Sequence, residues 1–337
     1  MRSPLIYLVK VNKAFLFDYW GDFQKSSLFT HFLIFIFKYI FLHQLHKSCN
    51  KDKTVYFGIH LIVNPKKLII NNNNIDLTSE KEIELFISEF NKNVSDISEC
   101  FPAFEDFSLS RIDYSFNHFF SNQETAEKAM SIYKRAAYIG KLEEYKIYDE
   151  VQNRRISPHD SIYLWNKSIR INIYLKHNEM LNEKNRLTDI DRAKGLIRFE
   201  IQCKQSKIFS IRKKFNINDS KAINFFREDI YNHIFTFYFN KIFGFGCFYK
   251  YNKALSKINS NKKLKEKCRK DMIEFLQTTS KKRNINKAIS ILNRSDTEIK
   301  DLVKIFSEIG INPVTIPRNY EFNELPNPLD YVIERNN

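Results

Sequence analysis

Three segments of the chain alternate apolar with polar residues, and their polar members include the side chains that phosphodiester chemistry uses. Side chains of a β-strand point alternately to the two faces of a sheet, so each segment is predicted to be a strand with one polar side. Solvent-exposed strand faces usually carry Thr, Lys, Glu and Ser. Carboxylates, guanidinium groups and a tyrosine together favour a functional face, with an ordinary exposed face as the alternative. In chain order, the polar members are Arg111, Asp113, Ser115 and Asn117; Arg170, Asn172, Tyr174 and Lys176; and Arg198, Glu200 and Gln202.

These residue types could cut a DNA strand by transesterification. The Tyr174 hydroxyl can attack phosphorus if a nearby cation favours its ionisation. Asp113 and Glu200 could hold a divalent metal that draws charge from a phosphate oxygen. The product would be a phosphotyrosine link and a free 3′-hydroxyl that can prime synthesis. Three cations of the same segments could stabilise charge in the transition state: Arg111, Lys176 and Arg198.

The surrounding pattern predicts an α+β fold, in which an antiparallel β-sheet with flanking helices precedes a basic, mainly helical C-terminal part. Val55–Val63 is predicted to be a strand ended by Asn64 and Pro65. Residues 141–160 are predicted to form a loop, and a short helix is predicted before Gly195. Three capping boxes predict helix starts: Ser79 with Glu82, Ser121 with Glu124, and Ser295 with Glu298.

The chain is predicted to divide into four parts: an N-terminal extension (1–53), a β-sheet domain (54–215), a basic helical domain (216–320) and an extended tail (321–337). Within the extension, Leu28–Leu42 is an aromatic-rich apolar run interrupted by His31 and Lys38. The run is shorter than the roughly 20 apolar residues of a spanning helix. Three interpretations stay open: a membrane anchor, a buried or surface helix, and an extension that adds little to the fold. We do not expect stable membrane association.

Charge indicates a polyanionic partner. Lys and Arg outnumber Asp and Glu by 54 to 39, for a net charge of +15, and cations that meet phosphates release condensed counterions. An AT-rich coding sequence would also raise the lysine content. Lys250–Arg283 holds twelve basic and three acidic residues, which predicts a DNA-facing helical surface, or else a solvated face. The predicted DNA contacts are Lys262, Lys263, Lys265, Lys267, Arg269, Lys270, Lys281, Lys282 and Arg283.

The five cysteines are scattered and include no CxxC pair. This argues against a disulfide scaffold or a zinc ribbon and fits a reducing cytoplasm.

Three blocks resemble a known family. Ser108–His118 (SLSRIDYSFNH), Arg170–Met180 (RINIYLKHNEM) and Ala193–Lys204 (AKGLIRFEIQCK) are similar to blocks of the gene II type replication-associated protein of filamentous phages and its plasmid and prophage relatives. His60–Ile69 and Gly310–Tyr320 look like further family segments.

The resemblance implies a rolling-circle replication initiator that cuts one strand at an origin, stays attached to its 5′ end through a tyrosine, and later rejoins the ends. By motif, Tyr174 matches the nucleophile, and Lys176 and Glu179 share its block. Asp113 and Glu200 are matched acidic positions. The implied metal is Mg²⁺ or Mn²⁺, with Glu179 as a further candidate ligand. The implied partners are single- and double-stranded origin DNA and the host replication machinery in the cytoplasm.

The sequence departs from the wider superfamily of tyrosine nickases, because it has no His-hydrophobe-His motif. His60 and His177 are possible ligands, and a surface or hydrogen-bonded histidine is the alternative for each. Two other functions stay open: a non-catalytic DNA-binding replication-control protein, and a membrane-associated protein.

Overall fold

The computed structural model describes residues 6–15, 40–49, 55–70, 75–96, 101–150, 153–182, 190–244 and 246–333. For residues 6–15, 40–49 and 55–59 it describes the backbone alone.

The largest element is an 8-stranded sheet in the order β2-β3-β1-β4-β10-β9-β8-β5. Every neighbouring pair in it is antiparallel. Its strands are β1 (Ile6–Phe15), β2 (Ile40–Cys49), β3 (Val55–Val63), β4 (Ser108–Phe119), β5 (Glu143–Glu144), β8 (Ser161–Trp165), β9 (Ile169–Leu175) and β10 (Leu196–Lys204). Two smaller sheets pair β6 (Ile147–Asp149) with β7 (Arg154–Ile156), and β11 (Phe248–Tyr249) with β12 (Glu324–Leu325).

The three alternating segments form neighbouring strands. β10 lies between β4 and β9, so that Glu200 is opposite Ser115 on one side and Asn172 on the other. The apolar side chains of these strands, such as Ile171 and Phe199, are fully buried. The α+β class and the facing of the three strands are confirmed.

One interpretation of residues 1–53 was an extension that adds little to the fold, but the structure places two strands from this part in the main sheet. β1 lies between β3 and β4, and β2 pairs with β3. Most of Leu28–Leu42 falls outside the described residues, and its last residues begin β2 at Ile40.

The helices follow from capping residues and apolar faces. The capping boxes at Ser79 and Ser295 are confirmed. At the middle position the prediction was wrong by one residue, because the Asn122 side chain accepts from the Thr125 N–H and is the N-cap. The helices are α1 (Pro65–Ile69), α2 (Ile83–Ser95), α3 (Gln123–Ala136), α4 (Lys176–Asn182), α5 (Gln205–Lys214), α6 (Glu228–Phe243), α7 (Tyr251–Ser260), α8 (Glu266–Lys282), α9 (Ile285–Leu292), α10 (Asp296–Glu308) and α11 (Pro328–Ile333).

The helical part shares one hydrophobic core with the sheet. Phe239 of α6 packs against Phe199 of β10 with ring centroids 5.4 Å apart. One cluster of buried residues extends from Leu61 to Val332 and crosses the predicted boundary near residue 215. The tail, predicted to be extended, contains β12 and α11. Among the described helices, none is both long and apolar enough to cross a membrane.

Candidate active site

The Tyr174 hydroxyl lies in a buried polar network on the sheet. Tyr174 is opposite Arg198 in the β9–β10 register, which makes Glu200 its diagonal neighbour. Its hydroxyl donates a hydrogen bond of 2.6 Å to Glu200 Oε1. Tyr174 is 6% exposed and Glu200 3%. The tyrosine therefore has a carboxylate in place to accept its proton.

Both oxygens of Glu200 are engaged. Asn172 Nδ2 donates to Oε2 over 3.2 Å, and Arg170 Nε donates to Asn172 Oδ1 over 2.9 Å. A side chain held through both oxygens keeps one orientation, which a proton acceptor requires.

Asp113 is the second carboxylate of the network and is fully buried on β4. Arg111 donates to it through two nitrogens, with Nε 2.7 Å from Oδ1 and Nη2 bonded to Oδ2. Burial nevertheless raises the pKa of Asp113 to about 6, because the effect of burial is larger than that of the hydrogen bonds and charge of Arg111, which lower the pKa. The negative charge of Glu200 also raises the pKa. An additional cation close to Asp113 and Glu200 would reduce the repulsion between the two carboxylates.

Arg198, predicted to stabilise charge, holds a loop against the sheet. Its Nε donates to Asn117 Oδ1 over 2.9 Å and its Nη2 donates to the Ile75 carbonyl. Asn117 Nδ2 donates to the same carbonyl over 2.7 Å. Arg198 thus ties residue 75 to β4 and β10 while lying opposite Tyr174.

Lys176 begins α4 directly after β9 and is 1% exposed. Its Nζ lies 2.5 Å from Glu179 Oε2 and 5.9 Å from the centroid of the Tyr174 ring. The structure brings Lys176 to the predicted nucleophile. Glu179, a predicted metal ligand, is ion-paired with this lysine.

The structure does not bring His60 to the carboxylates. His60 lies on β3, which β1 separates from β4. It pairs with Asn12 of β1, which pairs with Ser108 of β4, whereas Asp113 pairs with Leu8. His177 lies in α4, next to Lys176.

An ordinary solvent-exposed face was the alternative for the polar side of the three strands, and the structure differs from it. Asp113, Ser115, Arg198 and Glu200 are all buried. The Ile75 carbonyl covers the Arg198 end, and Ile75 packs with Met180 and Leu196 in a small apolar cluster. Alternation shows which residues share a face but not which loop covers it.

The donor set fits Mg²⁺ or Mn²⁺ in type. Magnesium takes hard oxygen ligands, often one or two carboxylates, and completes its shell with water and substrate phosphate. Asp113 and Glu200 supply two carboxylates. Ser115 lies two residues from Asp113 on β4 and opposite Glu200, and its Oγ is buried with no hydrogen-bond partner in the described part of the chain. That part contains no group of three His, Cys, Asp or Glu residues arranged to hold a metal.

Three residues that matter to the site were given no role from the sequence: Asn172, Ser115 and Ile75. Asn172 and Ser115 follow the same alternation as the acids, so the pattern contains the signal for both. Ile75 contributes through a backbone carbonyl, and no sequence signal identifies such a role.

The predicted DNA contacts lie on the turn before α8, on α8 itself and, for Arg283, directly after it. All are exposed except Arg269. The Arg269 guanidinium donates to the backbone carbonyls of Ile258, Asn261 and Leu264, among others, and closes the turn between α7 and α8. The DNA role of this set stays a prediction.

Comparison with known protein families gives no match, and comparison with curated proteins gives none either. Among solved structures, the chain is similar to a rolling circle replication initiator protein from Geobacillus stearothermophilus. The identity is 11% and the TM-score 0.29, over 72% of this chain and 86% of that one. A TM-score of this size does not establish a common fold, so we argue function from the residues of this chain.

Proposed function

We propose that this chain is a site-specific DNA nickase that initiates rolling-circle replication, with Tyr174 as the nucleophile. The observation that supports the proposal most directly is the hydrogen bond from the Tyr174 hydroxyl to Glu200, beside a second buried carboxylate, Asp113. A tyrosine held against a carboxylate has the arrangement of a nucleophile and its base. The protein would act on origin DNA in the cytoplasm, together with the host replication machinery.

In the proposed reaction, Tyr174 attacks a phosphorus atom of the DNA backbone while Glu200 accepts the hydroxyl proton. The bond from the tyrosine oxygen to phosphorus forms, and the bond from phosphorus to the 3′ oxygen breaks. The 3′ oxygen takes up a proton and leaves as a free hydroxyl, and the 5′ phosphate remains on Tyr174. Rejoining is the reverse of these steps.

The cations around Tyr174 would have distinct roles. Lys176, whose Nζ lies 5.9 Å from the ring centroid, would stabilise the developing phenolate and phosphorane charge. Arg111 is half-buried and bonded to Asp113, and would orient that carboxylate. Asp113 and Glu200 would hold Mg²⁺ or Mn²⁺, which when bound supplies a Lewis acid for a non-bridging phosphate oxygen.

For this reaction, DNA would have to reach a hydroxyl that is covered in this structure. Tyr174 is 6% exposed, so the residues that cover the polar face must move when DNA binds. The segment at Ile75 is one of them, since its carbonyl bonds to Arg198 and Asn117.

The test is nicking of supercoiled DNA that carries the cognate origin, in the presence of Mg²⁺. We expect the wild type to give an open-circular product and a covalent protein–DNA adduct, and Tyr174→Phe to give neither. Tyr163→Phe is the matched control, because Tyr163 lies on the adjacent strand β8 opposite Asn172, and it should nick as the wild type does. Cleavage by Tyr174→Phe would exclude this residue as the nucleophile.

The burial of the Tyr174 hydroxyl favours a second candidate, a DNA-binding replication-control protein that does not cut. The same assay separates the two functions. A wild type that shifts origin DNA in a gel but forms no nick or adduct with Mg²⁺ or Mn²⁺ would support the non-catalytic function.

A further inference from the structure

A cavity of about 720 Å³ lies between the end of α3, the end of α8 and residues 314–320, and the described residues that line it include four cations and no acid. The cations come from three separate parts of the chain: Arg135, Lys281, Arg283 and Arg318.

These four side chains form no ion pair with the acidic residues that the structure describes. Elsewhere, cations of the same region are paired; Arg294, for example, lies 2.9 Å from Asp271. Burial lowers the pKa of Arg135, and the charge of Arg283 contributes to the shift, which places the two guanidinium groups within electrostatic reach. Four cations around one cavity repel each other, and an anion bound between them would remove this repulsion.

Two further cavities share lining residues with this one and add basic side chains. A second cavity of about 550 Å³ shares Arg135 and adds five more cations, including Lys134 and Lys287, against one acid, Glu144. A third, of about 400 Å³, shares Arg318 and adds two lysines. We call the three together the basic groove.

The basic groove also has aromatic side chains. Tyr251 and Tyr320 line the central cavity, and Tyr251 lines the third cavity as well. Proteins that bind single strands without sequence preference combine a basic channel for the backbone with aromatic rings for the bases. The groove therefore matches a single strand better than an isolated phosphate.

We propose that the basic groove binds the backbone of single-stranded DNA, through Arg135, Arg318 and their neighbours. The inference rests on the proposed function in that origin DNA is the ligand. It assigns phosphate contacts to α3 and to residues 314–320, outside the basic segment Lys250–Arg283 that composition singles out.

The experiment measures binding of a fluorescent 20-nucleotide single strand of mixed sequence across a KCl series, with the Tyr174→Phe protein and no divalent metal. Cleavage cannot contribute under these conditions. We expect Arg135→Gln/Arg318→Gln to weaken binding at least tenfold at 0.1 M KCl. The slope of log K against log[KCl] should fall by about 0.7 for each phosphate that the variant no longer neutralises.

Two controls keep the result interpretable. Lys281→Gln/Arg318→Gln replaces two exposed side chains of the groove. It should also weaken binding at least tenfold, and it tests the groove even if the Arg135 variant fails to fold. Lys92→Gln/Lys300→Gln removes the same charge from exposed positions outside the groove and should stay within twofold of the parent.

Equal weakening by the control pair would show that net charge alone attracts the DNA and would overturn the proposal. So would dATP binding that the groove variants abolish while DNA binding persists, because the groove would then hold a free nucleotide. A protein that binds DNA through the groove but never nicks the origin would contradict the proposed function and leave this inference standing.

Discussion

Tyr174 and Glu200 lie on neighbouring strands, two residues apart in register, and are joined by a hydrogen bond of 2.6 Å from the phenol to Oε1. Both side chains are nearly inaccessible to solvent. At this separation, removal of the phenolic proton needs no intervening water.

Glu200→Gln tests the carboxylate as the proton acceptor. The amide oxygen can still accept from Tyr174, but the amide nitrogen would then face the Asn172 Nδ2 donor. The fold should be retained, with the free energy of unfolding lowered by about 1–3 kcal/mol. Loss of the base should lower the nicking rate by a factor of about 10²–10⁴. Single-turnover nicking and urea denaturation measure the two effects. A variant that nicks at the wild-type rate would remove Glu200 from the mechanism.

Asp113 should make stability depend on pH. Its pKa is raised from 3.8 to about 6, so the folded protein holds this proton more tightly than the unfolded chain does. Stability from this group is complete below pH 4 and is lost as pH rises through about 6. The loss is about 3 kcal/mol in total.

Asp113→Asn isolates that contribution. Other carboxylates titrate in both proteins, so the measure is the difference in free energy of unfolding between the variant and the wild type. With EDTA present, this difference should increase in favour of the variant between pH 4 and 7. A difference that does not change with pH would contradict the raised pKa of Asp113.

Arg198→Met should destabilise the fold by about 3 kcal/mol or more, because the substitution removes a buried guanidinium bonded to Asn117 and to the Ile75 carbonyl and leaves these two acceptors without it. Arg192→Met is the control: Arg192 has 54% of its side chain exposed and lies 3.5 Å from Asp76, and its replacement should cost less than about 1 kcal/mol. Chemical denaturation of both variants measures this. Similar small effects would mean that the Ile75 loop is held by other contacts.

Gly195 precedes β10, the strand that carries Arg198 and Glu200. Its φ is +76°, and a Cβ there would lie 2.7 Å from the Phe120 carbonyl oxygen. Gly195→Ala should therefore destabilise by about 2 kcal/mol or more, from backbone strain and this contact.

Gly310→Ala provides the comparison, since Gly310 has a similar φ of +70° but nothing within 4 Å of the added Cβ. It should show the backbone strain alone, about 1 kcal/mol. Thermal unfolding of the two variants measures the difference. Equal destabilisation would indicate that the Phe120 contact is relieved by a small shift.

Alternation alone was sufficient to predict β4, β9 and β10 and the residues on their polar sides, because the period of two is intact in all three. Whether the strands are neighbours could not be derived from it, since pairing depends on contacts between residues far apart in the chain, such as Ser115 and Glu200. The first strand was missed although it lies inside the sheet. Its position between β3 and β4 is a property of the topology, which a local pattern does not contain.

The burial of the site also could not be predicted from the sequence. Four polar residues on one face of a strand predict that this face is exposed to solvent, unless another segment covers it. Here the cover includes the Ile75 carbonyl, a group that every residue has. The basic groove could not be predicted from the sequence for a related reason. Arg135 and Arg318 are 183 positions apart, and neither belongs to a long run of charged residues.

Arg283 ends α8 in the left-handed backbone conformation, with φ 52° and ψ 29°, and its side chain lines the groove. Glycine is more stable by about 1 kcal/mol in such a backbone, yet it would take a cation from the groove. Arg283→Gly should then give a protein that melts at a higher temperature and holds DNA less tightly. Thermal resistance and ligand retention are opposed at this residue, so improving either one would lessen the other.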